Sequence, residues 1–223
     1  MKEKLFAEGI IKFLCGLILV FLLIFVPAGS LSFFHGWLYI CLLFVPMFAA
    51  GIIMLFINPE LLKKRLGVRE KEKEQKFVII ASGIIFAASF ILAGLNYRFS
   101  WFSLPDWIIY VSAAVFLLSY VLYAEVLREN TYLSRTVEVQ KDQKVTDTGM
   151  YGVVRHPMYM TTLFLFLSSC LVLNSIYSFI VMLLYIPVIV VRIKNEEKVL
   201  AENLPGYKAY MKKVRYRLIR PVW

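Results

Sequence analysis

Six apolar stretches separated by polar, mostly basic segments organise this chain: about Ile10 to Ala28, Trp37 to Ile57, Phe77 to Leu95, Trp107 to Leu127, Met158 to Leu173 and Ile176 to Val191. The first four are long enough to cross a hydrocarbon core of about 30 Å as helices rising about 1.5 Å per residue. The last two are shorter, and only Asn174 and Ser175 part them. They predict a tight helical hairpin, tilted or shielded by the other helices. The expected fold is an all-α integral membrane protein with about six transmembrane helices, the last two a short helical hairpin, and a cytosolic C-terminal segment. The N-terminal Met-Lys-Glu-Lys before an apolar run imitates a secretory signal. Pro27-Ala-Gly-Ser is a poor cleavage site, however, and further spans follow, so the first run is read as a retained span.

Composition agrees with a membrane fold. Hydrophobic residues make up 60% of the chain and the mean hydropathy is +0.71, more than a water-facing surface carries. A net charge of +10 raises the question of nucleic acid. The basic residues sit beside apolar spans, where topology and anionic lipid account for them, and no nucleic-acid partner is expected. Of the 25 Lys and Arg, all but Arg98 lie before Phe13, in Asn58 to Lys76, in Arg128 to Pro157, or from Arg192 onward. The positive-inside rule then puts both termini and these loops in the cytoplasm.

Asn58 to Lys76 mixes both charge signs with Leu61, Leu62, Leu66 and Val68, as an amphipathic surface helix or a solvated connector does. His35, in Ser-Phe-Phe-His-Gly-Trp, reads as part of an interfacial aromatic belt, and Glu125 as a partner for Arg128. Cys15, Cys41 and Cys170 all fall in apolar runs without a Cys-x-x-Cys pair or a Cys/His cluster, so neither a metal nor a disulfide is expected. No glycine-rich turn follows a strand pattern, which removes a Rossmann-type dinucleotide fold.

Candidate chemistry concentrates in Gly149 to Tyr159, G-M-Y-G-V-V-R-H-P-M-Y. Proline is tolerated in the first helical turn, so Pro157 marks a helix start, and Arg155, His156 and Tyr159 surround the electropositive end of its dipole. Sixteen residues from Met158 rise about 24 Å, and the returning helix descends a similar distance. Arg192 to Glu197 should therefore lie level with Arg155 to Pro157. Arg192, Glu196 and Leu200 share one helical face, while Glu197 points about 100° away. Cations at a helix start suit a carboxylate or phosphate, and Glu196 or Glu197 suits an ammonium, a pair of hydroxyls or the neighbourhood of a sulfonium. A cofactor with an amino-acid end and a cationic reactive centre fits both. Charged residues that only anchor and pair at the ends of spans would show the same composition.

The order and spacing of these elements resemble the isoprenylcysteine carboxyl methyltransferase family and its relatives among phospholipid methyltransferases. The resemblance rests on R-H-P-M-Y, then R-I-K-N-E-E-K-V-L one hairpin later, then L-P-G-Y-K-A-Y, and covers about Val145 to Trp223. Residues 129–223 are thus the methyltransferase-like region. Residues 1–128, four spans with the 58–76 loop, carry no diagnostic motif. The resemblance implies an enzyme that binds S-adenosylmethionine in a cytosol-facing pocket and takes a lipophilic or prenylated substrate from the bilayer. It implies cofactor contacts for Tyr151, His156, Pro157, Tyr159 and Glu196, with His156 and Pro157 on the cofactor's carboxylate, and catalytic roles for Arg155 and Glu197. Gly149, Gly206, Tyr207 and Tyr210 match flanking motif positions. Thr161 stands where relatives often have glycine, and Arg220-Pro221 replaces the usual Pro-Gly.

Carboxyl O-methylation of an isoprenylcysteine-like substrate is the leading expectation. Three alternatives stay open: a phospholipid amine N-methyltransferase, an NADPH-dependent membrane reductase of the steroid-reductase type, and a non-enzymatic lipid-binding membrane protein.

Overall fold

The computed structural model of the chain describes residues 2–66, 73–130, 132–133, 139–140 and 142–223. They form α1 (Lys2–Ala28), α2 (Phe34–Ile57), α3 (Pro59–Leu66), α4 (Lys73–Phe99), α5 (Asp106–Glu129), α6 (Pro157–Val172), α7 (Ile176–Met182), α8 (Tyr185–Asn203) and α9 (Tyr207–Lys213), with a 3-10 turn at Gly149–Gly152. Five stretches among the described residues are long and apolar enough to cross a membrane, α7 and α8 together forming the fifth, and α6 is a shorter apolar helix. Large apolar side chains cover the outside: Phe56, Ile57, Phe77, Ile80, Ile84 and Tyr110 are all exposed. Lipid tolerates such a surface and water does not. The fold is that of an all-α integral membrane protein.

Local chemistry sets the boundaries. Asn58 accepts the Leu61 N–H on its side-chain oxygen at 3.0 Å, Pro59 opens α3, and Glu60 sits in the first turn, so the amphipathic segment begins as a capped helix. Residues 67–72 of the expected 58–76 element lie outside the described residues.

The last apolar run departs from the single helix expected. It breaks at Leu183–Leu184, because Pro187 has no N–H to give the Leu183 carbonyl and its ring crowds that oxygen. Ile186 N–H bonds to Leu183 O at 3.0 Å instead. Beyond the break α8 runs past Val191 to Asn203, carrying the charged R-I-K-N-E-E stretch on the same rod as the apolar residues.

Helix α6 sits at the middle of the packing. Leu165 and Val172 join Ile24, Phe90 and Phe116 in one apolar cluster, while Tyr159 and Leu163 join Tyr185, Ile189, Ile193 and Leu218 in another. At the end of the bundle away from Arg155, Asn174 takes a left-handed turn and accepts the Leu104 N–H at 2.7 Å. Asn96 donates to the Asn174 and Phe102 carbonyls, both at 2.9 Å, which ties the hairpin turn to the loop after α4.

Helices α1 and α4 pack tightly at Gly94, where a Cβ would lie 2.4 Å from Ile24 O and 2.9 Å from Ala28 N. Backbone atoms cannot yield as a flexible side chain can. Gly94→Ala should therefore lower the melting temperature in detergent by the equivalent of about 1–3 kcal/mol. Gly83→Ala, with nothing within 4 Å of the new methyl, should not. Equal melting temperatures for the two variants would contradict this packing.

Candidate functional site

The Gly149–Gly152 turn is held from two sides. Gly149 adopts a φ of +49°, and the Glu129 carboxylate packs so closely against it that a Cβ would lie 1.7 Å from Oε1. The Met150 N–H donates to Glu129 Oε2 at 3.1 Å, so this acid at the end of α5 caps the turn. From α9, Tyr210 donates its hydroxyl to Tyr151 O at 2.8 Å, and Lys213 pairs with Asp147 at 2.6 Å. The Lys213 ammonium holds the Asp147 carboxyl below its usual range.

Helix α6 begins at Pro157, with His156 as its N-cap and the His156 carbonyl accepting the N–H groups of Tyr159 and Met160 at 3.1 and 3.2 Å. The tail after α9 lies alongside. Arg155 N–H and His156 N–H donate to the carbonyls of Tyr216 and Arg217, both at 2.9 Å. The Arg155 guanidinium also donates to Val214 O and Arg215 O at 2.9 Å each.

These contacts converge on Glu197. Its Oε1 accepts from Arg155 Nε at 2.7 Å and lies 3.2 Å from His156 Nε2, and its Oε2 accepts from Arg217 Nε at 2.8 Å. The side chains of Glu197 and Arg155 are each 5% exposed. A carboxylate of the chain itself thus lies at the start of α6, on two of the groups expected to meet a ligand's. Arg155 and Glu197, expected at the reacting centre, bind each other in a closed cluster, and Pro157 is fully buried. The cause is the 100° step along α8, which turns Glu197 inward and leaves Glu196 facing outward.

Glu196 faces a cleft of about 800 Å³, counting the space open to solvent at its mouth. Tyr151, His156, Tyr159, Arg192, Glu196 and Tyr207 are among its lining residues, and Arg155 contributes an edge. Tyr159 links the two charges of α8: its hydroxyl donates to Glu196 Oε2 at 2.5 Å and accepts from Arg192 Nε at 2.8 Å. Leu133, Val145, Met158, Leu200 and Leu204 add an apolar patch to the wall, and Asn130, Gln143, Lys144 and Thr146 line it as well. The phenol oxygens of Tyr151 and Tyr207 are buried in this wall without a hydrogen-bond partner among the described residues. Burial pushes both phenols above the usual tyrosine range, so they are neutral hydroxyls; Asn130, on the same wall, opposes the shift of Tyr151 without closing a hydrogen bond.

Thr161 is buried within α6, donates to Met158 O at 2.8 Å and does not line the cleft. Glu125 chelates Arg128 on the surface. Sequence reasoning passed over Glu129, Arg217 and the unpartnered state of Tyr207. The first could have been suspected as an acid ending a span just before a glycine-led turn. Among the described residues no group of three His, Cys, Asp or Glu side chains is arranged to hold a metal ion.

Residues 107–205 match the family model for phospholipid methyltransferase. No curated protein matches the chain. The matched region runs from α5 through α8, a little under half of the chain, and includes the turn, Arg155, His156, Glu196 and Glu197, but not α9 or the tail. It supports a membrane methyltransferase that acts on lipids, in line with the resemblance read from the motifs.

The two neighbouring glutamates should separate cleanly on substitution. Glu197→Ala leaves buried Arg155 without its carboxylate and should cost about 3–5 kcal/mol, lost as thermal stability. Glu196→Ala removes one bond to a group on the cleft wall and should cost about 1 kcal/mol. Similar melting temperatures for the two variants would overturn this division.

Proposed function

We propose that the chain is an S-adenosylmethionine-dependent methyltransferase whose acceptor is a lipophilic carboxylate of the isoprenylcysteine kind. The observation that carries the reading is the cleft itself, which presents charges of both signs beside an apolar patch and holds two buried hydroxyls with no partner among the described residues. A donor with a carboxylate, an ammonium, a sugar and a flat base needs that mixture. His156 and Arg192 offer cationic or donor groups for a carboxylate, Glu196 an acceptor for an ammonium or hydroxyls, and Tyr151 and Tyr159 packing and hydrogen bonds. When bound, the donor supplies an electrophilic methyl on a sulfonium.

Displacement at that methyl needs alignment and exclusion of water more than acid–base chemistry. The Glu197 cluster provides alignment by fixing the turn, α8 and the tail to one another. The choice of acceptor follows from what the lining lacks. Glu196 is the one carboxylate among its described residues and already accepts from Tyr159, and Glu197 is committed to Arg155, His156 and Arg217. A carboxylate acceptor needs no base, whereas a protonated amine must lose a proton first. The family match favours a second reading, a phospholipid headgroup amine.

Purified protein in detergent should be stabilised by S-adenosylmethionine and by its demethylated product, and not by NADPH. With labelled donor, a prenylated cysteine should gain a methyl group that alkali releases as methanol. An alkali-stable methyl on phosphatidylethanolamine would establish the second reading instead. Stabilisation by NADPH alone would point to a reductase, and none by any of the three would remove the enzymatic reading.

A further inference from the structure

Tyr151 and Tyr207 are 7% and 4% exposed, and each holds a hydroxyl that no described residue satisfies. Phenylalanine would fill the same volume without leaving a polar atom unpaired, so packing does not explain either oxygen. Tyr210 provides the contrast. Its ring centroid lies 5.7 Å from that of Tyr207, and its hydroxyl is satisfied by Tyr151 O at 2.8 Å. Where a phenol in this region has a structural task, it has a structural partner.

The two orphan hydroxyls come from separate elements, the turn before α6 and the start of α9, and share the cleft wall with Glu196. Glu196 can only accept. Tyr159 donates to its Oε2, and a carboxylate has further lone pairs to offer a ligand. The cleft therefore offers two groups that donate and can also accept, beside one that only accepts. An ammonium, which only donates, would leave both phenolic protons unpaired. One edge of an adenine offers an amino donor and a single ring-nitrogen acceptor, which would satisfy the carboxylate and one phenol and leave the other phenolic proton unpaired. A pair of adjacent hydroxyls satisfies all three, because each hydroxyl donates one hydrogen and accepts another.

We infer that Tyr151, Tyr207 and Glu196 together bind the vicinal hydroxyls of the methyl donor's ribose, which makes Tyr207 a ligand-binding residue of the site. This rests on the methyl-donor reading and orders the ligand within the cleft, with the sugar between α8 and α9.

The test uses the full chain in detergent and titrates it calorimetrically with the demethylated donor product and with its 2′-deoxy and 3′-deoxy forms. Tyr207→Phe and Tyr151→Phe should each weaken binding of the ribose form about fivefold to tenfold, the usual loss for one hydrogen bond. Each should have little effect on the deoxy form that lacks its partner hydroxyl. Without ligand, both variants should melt at or above the temperature of the parent protein. Equal affinity of parent and variants for the ribose form would overturn the inference and leave the methyl-donor reading intact. Equal losses for ribose and both deoxy forms would assign the phenols to another part of the ligand, and lower melting without ligand would make them structural. Failure of the parent protein to bind the product at all would remove the methyl-donor reading, and this inference with it.

Discussion

The Glu197 carboxylate is the contact on which the rest of the site depends. Taking an anion out of water is costly unless its oxygens are filled by well-placed donors. Here Arg155 and Arg217 approach different oxygens, and His156 lies within reach of the first. The three partners come from two chain segments, one just before α6 and one in the tail. A single side chain on α8 therefore fixes both relative to the helix that carries the cleft's charges. The further bonds from Arg155 to Val214 and Arg215 use guanidinium donors that Glu197 leaves over, so that little of the cluster is unsatisfied. A carboxylate filled in this way is a poor base and a poor ligand, but a good pin.

The bilayer explains why the pin is needed. Between spans, apolar surfaces give little preference for one rotation over another, since lipid is as apolar as leucine. Helices α6 and α8 share an apolar seam of Tyr159, Leu163, Ile189 and Ile193, which brings them together. Polar contacts then select the rotation about α8 that places Glu196 at the cleft. The break at Leu183–Leu184 acts in the same sense by freeing α8 from the direction of α7. Because α6 has only 16 residues, its motif end stays close to the apolar layer. Met158, Leu200 and Leu204 then give a lipophilic acceptor an apolar wall beside the charged groups.

Much of this was legible from the chain alone, for physical reasons that also mark where legibility ended. The spans follow from runs of apolar residues, and the start of α6 from the chemistry of Pro157. Rise per residue places Arg192 to Glu197 level with Arg155, and the structure brings these residues into contact. The choice between Glu196 and Glu197 was not legible, because both sides of α8 are polar there and tertiary partners decide which side is buried. The tail was read only through a resemblance, although Arg217 and the carbonyls of residues 214–217 form a wall of the Glu197 cluster. Extended segments that bond through backbone groups leave little trace in residue type. Glu129 escaped because its partner is a backbone N–H beside a glycine, a contact defined by shape and not by charge pattern.

The polar groups of this region fall into two sets with opposite states of satisfaction. Around Glu197 the donors and acceptors are matched within the chain, with Glu197, Arg155 and His156 buried and Arg217 partly exposed. Along the cleft the hydroxyls of Tyr151 and Tyr207 are equally buried but unmatched among the described residues. An unmatched buried hydroxyl lowers stability, so a chain under selection for stability alone would lose it. Both hydroxyls belong to residues that line one cleft, as the proposed ligand site requires. The matched set makes the cleft wall rigid, and rigidity lets the unmatched set discriminate, since hydroxyls on a mobile wall could turn toward water when the ligand lacked the right partners. The Glu197 cluster thus contributes to recognition without touching what is recognised.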